Sequence, residues 1–493
     1  MTHCRVAIIG TGFSGLGMAM RLKADGMDDF VVLERAGDVG GTWRDNTYPG
    51  AACDVPSNLY SFSGELNPDW SHSFSRQPQI QAYLQGCARR ANLEPHLRLH
   101  HDVLGAEWDE AAARWQIETS QGPFTAHVLI AGSGGLSDPS VPAIPGLDSF
   151  AGTTFHSATW DHDHDLAGER VAVIGTGASA IQFVPQIQPR VGRLHLFQRT
   201  PPWIIPRTDR PLSRLERRVY RAVPAVQRLV RAAIYWGRES YVVGFTKHRG
   251  FMKVPELLAR VHLRRQVPDP ELRAKLTPGY DIGCKRILIS GDYYPALTRD
   301  NVEVVTDGIR EVCAHSIVTA DGTERPIDTI IFGTGFQIND PPIAARVRDR
   351  DGVSLAETWK DGTEAYLGTT VAGFPNLFFL AGPNSGLAHT SMTVMIEGHV
   401  AYVAGALREM AQRDLATVEI RPEVQAAYNE NLQRAMEGTV WTDGGCASWY
   451  LDAQGRNRTL WPTFTFDFRR RTERFAPADY ELTPAAEPVP AAA

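Results

Sequence analysis

Short, nearly unbroken apolar runs recur along the chain. Arg5–Ile9 (RVAII), Phe30–Leu33 (FVVL), Arg170–Ile174 (RVAVI) and Arg193–Phe197 (RLHLF) show almost no polar alternation. Runs of this kind predict parallel strands covered on both faces. A helix-like run, Leu16–Lys23, lies between the first two, and the apolar stretches Ile330–Phe332 and Leu377–Leu380 extend the pattern. Strands alternating with helices predict an α/β fold. The rhythm stops between Pro201 and Gly283. There Arg210, Arg214, Arg217, Arg218, Arg221 and Arg228 interleave with Leu212, Leu215, Val219, Val223, Val226 and Leu229 at three- and four-residue spacings. This predicts an amphipathic helix or helix pair, broken or kinked at Pro224, on a helical insertion. The arginine face is expected in solvent. Contact of this basic helix with a membrane surface is the weaker reading.

Two of the strands run directly into glycine turns. The first gives Gly10-Thr11-Gly12-Phe13-Ser14-Gly15. In such a turn Gly10 makes the bend, Gly12 lets the backbone approach a pyrophosphate and Gly15 permits close helix–strand packing, with the helix amino terminus facing the phosphates. Glu34, followed by Arg35, ends the next strand, where a carboxylate suits ribose hydroxyls. The second turn is Gly175-Thr176-Gly177-Ala178-Ser179-Ala180, with alanine as an accepted third residue. Two such turns imply two bound dinucleotides. Arg199, followed by Thr200, stands where the first unit has its acid; a guanidinium there favours a 2′-phosphate, hence NADPH over NADH.

Between the turns lies Phe150-Ala-Gly152-Thr-Thr-Phe-His156-Ser-Ala-Thr-Trp160-Asp161. Gly41-Thr42-Trp43 leads into Tyr48-Pro49-Gly50 and closes at Asp54. Both patterns resemble signatures of the type I Baeyer–Villiger monooxygenases, and the resemblance spans Arg5 to about Arg474. It implies FAD on the first turn and NADPH on the second. It also implies insertion of one oxygen atom from O2 beside the carbonyl of a ketone or aldehyde, through a C4a-peroxyflavin, giving an ester or lactone. Asp54 would lie beside the flavin ring near Tyr60 and orient Arg286, which would stabilise the peroxide anion. Lys285 would join Arg199 on the 2′-phosphate, and the loop containing Asn384 would face the isoalloxazine. His156 and Trp160 would couple cofactor position to the domain junction. A Ser-Trp matching Ser448-Trp449 belongs to a mobile loop over the nicotinamide. The continuation LDAQGRNRTLWP departs from the family's glycine-alanine-asparagine-proline run, which leaves the substrate class and the role of Trp449 open.

The expected architecture is therefore α/β, with two Rossmann-like domains and an inserted helical subdomain. The FAD-binding domain takes 1–141 and 339–480, the NADP-binding domain 142–200 and 284–338, the helical insertion 201–283, and a disordered tail 481–493. A net charge of −6 gives no reason to expect a nucleic-acid partner. No apolar run reaches the ~18–20 residues needed to span a bilayer, and the start MTHCRVAIIG, which enters an apolar run without a basic region and long apolar core, leads to the expectation of no secretory signal. The six cysteines, Cys4, Cys53, Cys87, Cys284, Cys313 and Cys446, form no Cys-x-x-Cys pair. They are expected to be reduced thiols in a cytoplasmic protein. The Asp161-His162-Asp163-His164-Asp165 run precedes a turn, so no metal site is expected. The rival readings are an N- or S-oxygenating flavin monooxygenase, a disulfide reductase without the required cysteine pair, and a non-enzymatic FAD/NADPH sensor or docking protein.

Overall fold

The computed structural model describes residues 2–485. Thr2–Ile9 is the central strand of the larger sheet, parallel to Phe30–Leu33 on one side and Phe124–Ala131 on the other. Val6, Ala7 and Ile8 are fully buried, as an apolar run covered on both faces requires. Leu377–Phe379 adds in parallel to Phe124–Ala131, and Val347–Arg348 joins the far edge at Val103–Asp109. The returning segment thereby completes the sheet that the amino terminus begins. The helix Phe13–Ala24 starts directly after the first glycine turn. A Cβ on Gly15 would lie 1.9 Å from the Gly10 carbonyl oxygen, so only glycine lets this helix start so close to the strand end.

The second sheet is wholly parallel, in the order Val302–Val305, Arg193–Phe197, Arg170–Ile174, Thr329–Phe332, Thr153–His156. Its edge strand comes from the Phe150–Asp161 stretch, which sequence pattern alone marks only as a junction. Gly152 enters that strand against the Asp328 carbonyl oxygen, where a Cβ would approach to 2.1 Å.

Helices Arg214–Ala222, Pro224–Glu239, Tyr241–Thr246, Lys253–Gln266 and Pro270–Lys275 make up the insertion. Pro224 begins the second helix, and Ser213 with Glu216 forms a capping box on the first. After the insertion, Leu288–Ile289 pairs in parallel with Ile204–Ile205, where the insertion left the sheet. This pairing carries Lys285 and Arg286 back to the segment that follows Arg199.

Two parts of the structure differ from expectation. Leu215 and Leu229 are each 71% exposed, and Val223 and Val226 also face outward. The inward face of the second helix is mixed: Val230, Ile234 and Tyr235 pack on the core, while Gln227, Arg231, Arg238 and Glu239 meet carbonyl groups and a buried histidine. The expected disordered tail begins too early: Tyr480–Pro484 is a strand antiparallel to Leu415–Ile420, held by the buried Tyr480. Residues 486–493 of that tail lie outside the described residues. No helix among the described residues is long and apolar enough to cross a membrane.

Candidate active site

Asp54 and Arg286, 232 residues apart, meet in a two-pronged ion pair. Arg286 donates from Nε to Asp54 Oδ2 at 2.6 Å and from Nη2 to Oδ1 at 2.7 Å. A third, longer bond runs from Nη1 to the Leu387 carbonyl at 3.3 Å. Both side chains are partly open, 25% and 31% exposed. Burial raises the Asp54 carboxyl, but the Arg286 charge and its hydrogen bonds outweigh that and hold it below the usual carboxylate range. The charge of Asp54, against the opposing effect of burial, keeps Arg286 firmly protonated.

An aromatic cluster lies within electrostatic reach of this pair. Trp43, in the short helix Thr42–Asp45 that Gly41 caps, donates from Nε1 to the Tyr60 hydroxyl at 2.9 Å. Phe13, beside the buried Ser14 in the first glycine turn, packs edge-on against Tyr60 at 5.0 Å. Burial, and then the neighbouring Cys53, push Tyr60 far above its ordinary pKa, and it also feels Asp54 and Arg286. The first glycine turn, Trp43 and Tyr60 are thus packed together, with Asp54 and Arg286 within electrostatic reach of Tyr60.

Glu34 is turned inward. Its carboxylate accepts from Thr11 N at 3.0 Å, Thr11 Oγ1 at 2.6 Å and Ala36 N at 3.0 Å, and pairs with Arg44 at 2.8 Å. Arg35 pairs with Asp138 at 2.9 Å. Asn384 is buried in a left-handed conformation and donates to the carbonyls of Asn457 and Leu460 at 2.8 and 3.1 Å, while its Oδ1 has no partner among the described residues.

At the second turn Gly177 and Ala178 are exposed, Gly175 and Ser179 half-exposed, and Ala180 starts the helix that runs to Ile187. Thr176 Oγ1 donates to the Thr200 carbonyl at 3.2 Å, tying the turn to the end of the next strand. Burial, and then the charge of Arg199, lower the Lys285 pKa. Neither cation has a carboxylate in ion-pair range among the described residues. The structure thus brings two unpaired cations into each other's field beside the second turn.

His156 is buried on the edge strand. Its Nδ1 accepts from Ala158 N at 3.1 Å, its Nε2 has no partner among the described residues, and burial lowers its pKa. Phe150 and His156 line one cleft. Trp160 packs on Phe155 and on Phe183 of the Ala180–Ile187 helix, at 5.1 and 5.3 Å. Asp161 accepts from the amides of Asp163 and His164. The next side chains diverge: His162 bonds Thr47, His164 bonds Glu169 and Thr329, and Asp165 pairs with Arg190.

Several residues of the site carry no motif. Gln182 bonds the Tyr48 hydroxyl at 3.1 Å and both backbone groups of Ala52, at 3.2 and 3.0 Å, so the second Rossmann unit grips the loop that ends at Asp54. Tyr450, not Trp449, is the buried ring near Arg286. Burial pushes it up to about 12, opposed by the charge of Arg286. Trp449 is 47% exposed, and its carbonyl accepts from Asn339 at 3.0 Å. Arg238 donates to the His389 carbonyl at 3.0 Å and lies within the field of Asp54.

The expectation of six reduced thiols is overturned, because Cys284 and Cys446 form a disulfide across 162 residues. Asp281 N donates to the Gly444 carbonyl at 3.0 Å, and Gly444 lies against Cys284 where a Cβ would approach to 2.7 Å. That close backbone docking joins two cysteines whose sequence spacing gives no sign of pairing. The bridge ties the residue two before Arg286 to the loop carrying Tyr450.

Residues 7–228 match the family described as pyridine nucleotide-disulphide oxidoreductase, which stops short of the cysteine bridge. A Baeyer–Villiger monooxygenase of Pseudomonas aeruginosa is 54% identical over 483 residues, covering 98% of this chain and 92% of that protein. One of Streptomyces coelicolor is 54% identical, covering 97% of this chain and 93% of its own. Among solved structures, oxidized steroid monooxygenase bound to NADP superposes with a TM-score of 0.86 at 31% identity, covering 98% of this chain and all of that one. OTEMO in complex with FAD and NADP gives 0.87 at 26% identity, covering 97% of this chain and 99% of that one. With relatives this similar along nearly its whole length, the chain belongs to the Baeyer–Villiger monooxygenase family.

Proposed function

We propose that the chain binds FAD on its first glycine turn and NADPH on its second, and uses them with O2 to convert a ketone or aldehyde into an ester or lactone. Bound FAD would take a hydride from NADPH and activate dioxygen. The observation that carries the reading is the two-pronged Asp54–Arg286 pair within electrostatic reach of the Phe13–Trp43–Tyr60 cluster. A guanidinium has five N–H donors. Asp54 and Leu387 engage three of them, through Nε, Nη2 and Nη1. The other two remain for the negative charge that builds on the attacking oxygen and the substrate carbonyl. Asp54 holds the guanidinium plane, and an arginine so paired does not release its proton as the reaction proceeds.

The unpaired Arg199 and Lys285 fit the 2′-phosphate of NADPH, and the glycine turns fit the two pyrophosphates. The unpartnered Oδ1 of Asn384 fits a hydrogen-bond donor on the flavin. We assign residues 1–141 and 339–480 to the FAD domain, 142–200 and 284–338 to the NADP domain and 201–283 to the insertion. The pairing of Leu377–Phe379 with Phe124–Ala131 supports that division. His156 and Trp160 act as positioning residues, since His156 ends the edge strand of the second sheet and Trp160 packs on the helix whose Gln182 reaches the Asp54 loop. NADPH dependence favours a cytoplasmic site of action.

The test is turnover of the FAD-loaded protein with NADPH, a ketone panel and isotopically heavy O2. One heavy oxygen in an ester or lactone, matched to NADPH consumed, is the expected result. Stoichiometric hydrogen peroxide without ester, or oxygen found only in sulfoxides and N-oxides, would overturn the reading.

A further inference from the structure

The Pro224–Glu239 helix carries apolar side chains on two sides: Tyr235 is buried in the core with Val230 and Ile234 packed beside it, while other apolar residues face outward. Its inward side is held by hydrogen bonds: Gln227 donates to Asn58 Oδ1 and the Asn67 carbonyl at 3.0 and 2.7 Å, and Arg231 to the carbonyls of Asn58 and Leu59 at 3.1 and 2.8 Å. Arg238 bonds the His389 carbonyl, and Glu239 accepts from Thr465 N at 3.0 Å. Val226, Leu229, Ala232, Ala233 and Trp236 fall on the outward side, within about 120° of helical arc. Leu229 is 71% and Trp236 58% exposed. A second helix extends this surface: Phe466 of Thr465–Thr472 is 43% exposed, with its ring 5.8 Å from that of Trp236. Monomeric proteins rarely leave so continuous an apolar face without a use for it.

The helices that carry this face, and the Arg214–Ala222 helix packed against the first of them, present unpaired cations. Arg214, Arg218, Arg228 and Arg469 are exposed and have no carboxylate in ion-pair range among the described residues. Nearby Arg221 pairs with Asp69 and Arg470 with Asp467. This local excess of positive charge stands on a chain of net charge −6. A two-fold contact between copies would set this positive charge against itself. An anionic lipid surface complements both parts, with phosphates for the guanidinium groups and an apolar interior for leucine and aromatic rings. We propose that this face docks the protein on an anionic membrane surface, with Leu229, Trp236 and Phe466 entering the interface and Arg214, Arg218, Arg228 and Arg469 on lipid phosphates.

The test is co-sedimentation of the FAD-loaded protein with vesicles of phosphatidylcholine alone and of phosphatidylcholine mixed with phosphatidylglycerol. Binding to the mixed vesicles, weakened by salt, is expected. Each arginine near an anionic surface contributes about fivefold in affinity, so the pair Arg218→Gln and Arg228→Gln should lower binding about 25-fold. Leu229→Glu should weaken binding at least as much, while NADPH oxidation with a water-soluble ketone stays at the wild-type rate. Failure to bind either vesicle would overturn the proposal, as would equal binding to both that ignores the arginine changes. A lipid-free dimer that Leu229→Glu turns into a monomer would assign the face to a second copy and overturn it as well.

Discussion

Replacing Arg286 with alanine should separate oxygen consumption from oxygen transfer. The substitution removes two hydrogen bonds of 2.6 and 2.7 Å to Asp54 and one of 3.3 Å to Leu387. Breaking a fully buried ion pair costs about 3–5 kcal/mol. Asp54 and Arg286 are 25% and 31% exposed, so solvent screens part of that, and a stability loss of about 1–3 kcal/mol is expected. Loss of an oriented donor to developing negative charge costs about 2.7–4 kcal/mol of barrier, or about 100- to 1000-fold in ester formation. The two effects have separate readouts: thermal midpoint and FAD content for the first, and ester formed per NADPH consumed for the second. The variant should retain FAD, oxidise NADPH and release hydrogen peroxide in place of ester. Arg286→Lys keeps the charge but cannot make the two-pronged contact, so it should recover stability more than ester yield. Asp54→Ala leaves the guanidinium charged but unoriented, and combined with Arg286→Ala it should cost much less than the sum of the two. Ester production by Arg286→Ala within a few-fold of wild type would refute the assignment of Arg286.

Arg199→Glu should raise the KM for NADPH at least tenfold, since it exchanges a charge-assisted contact for repulsion, without loss of FAD; equal use of NADH and NADPH by the wild type would refute the 2′-phosphate site. His399 is fully buried, with Nδ1 accepting from Ala381 N at 3.2 Å and Nε2 bonded to the Leu367 carbonyl at 3.0 Å, and burial lowers its pKa from 6.5 to about 4. The unfolded imidazole takes a proton as pH falls through 6.5 and the folded one only near 4, so about 3 kcal/mol of stability should disappear across that window. Denaturant midpoints measured through it should show a slope that His399→Gln removes. Cys446→Ser should lower stability by about 2–4 kcal/mol and raise the fraction of NADPH lost to peroxide, because the Tyr450 loop is freed from the Arg286 segment. A peptide map under non-reducing conditions that finds both thiols free would refute the bridge.

The glycine turns and their strands were legible because each is a local device: an apolar run, a bend only glycine tolerates and a helix start within fifteen residues. The Asp54–Arg286 contact was legible only through the family resemblance, since nothing in the residues between 54 and 286 brings the two together. Pairing of Leu288–Ile289 with Ile204–Ile205, followed by the bond of Arg207 to the Cys53 carbonyl, does that, and two-residue strands leave no periodicity to read. Long-range contact likewise hid Gln182, whose amide grips Ala52 from the Ala180–Ile187 helix, and Tyr450, which resembles any buried tyrosine. The cysteine bridge was missed for a different reason: thiol pairing depends on backbone docking, and Gly444 permits that docking by lacking a side chain.

The outward apolar residues of the insertion depart from a local rule, and the departure has a physical cause. Helical periodicity identifies two unlike faces but not which one turns inward; that depends on what the neighbours offer. Here they offer carbonyl groups of Asn58, Leu59, Asn67 and His389, which amide and guanidinium donors satisfy and leucine cannot. Burying the arginine stems there also places Arg238 in the field of Asp54. One helix therefore connects the polar side of the active site to an apolar outer surface. Arg238→Met tests that connection. It removes the bond to the His389 carbonyl and a charge that helps hold the Asp54 carboxyl ionised. The expected outcome is a lower ester yield per NADPH with vesicle binding unchanged. An effect on binding alone would show that the inner end of this helix serves the outer surface and not the site.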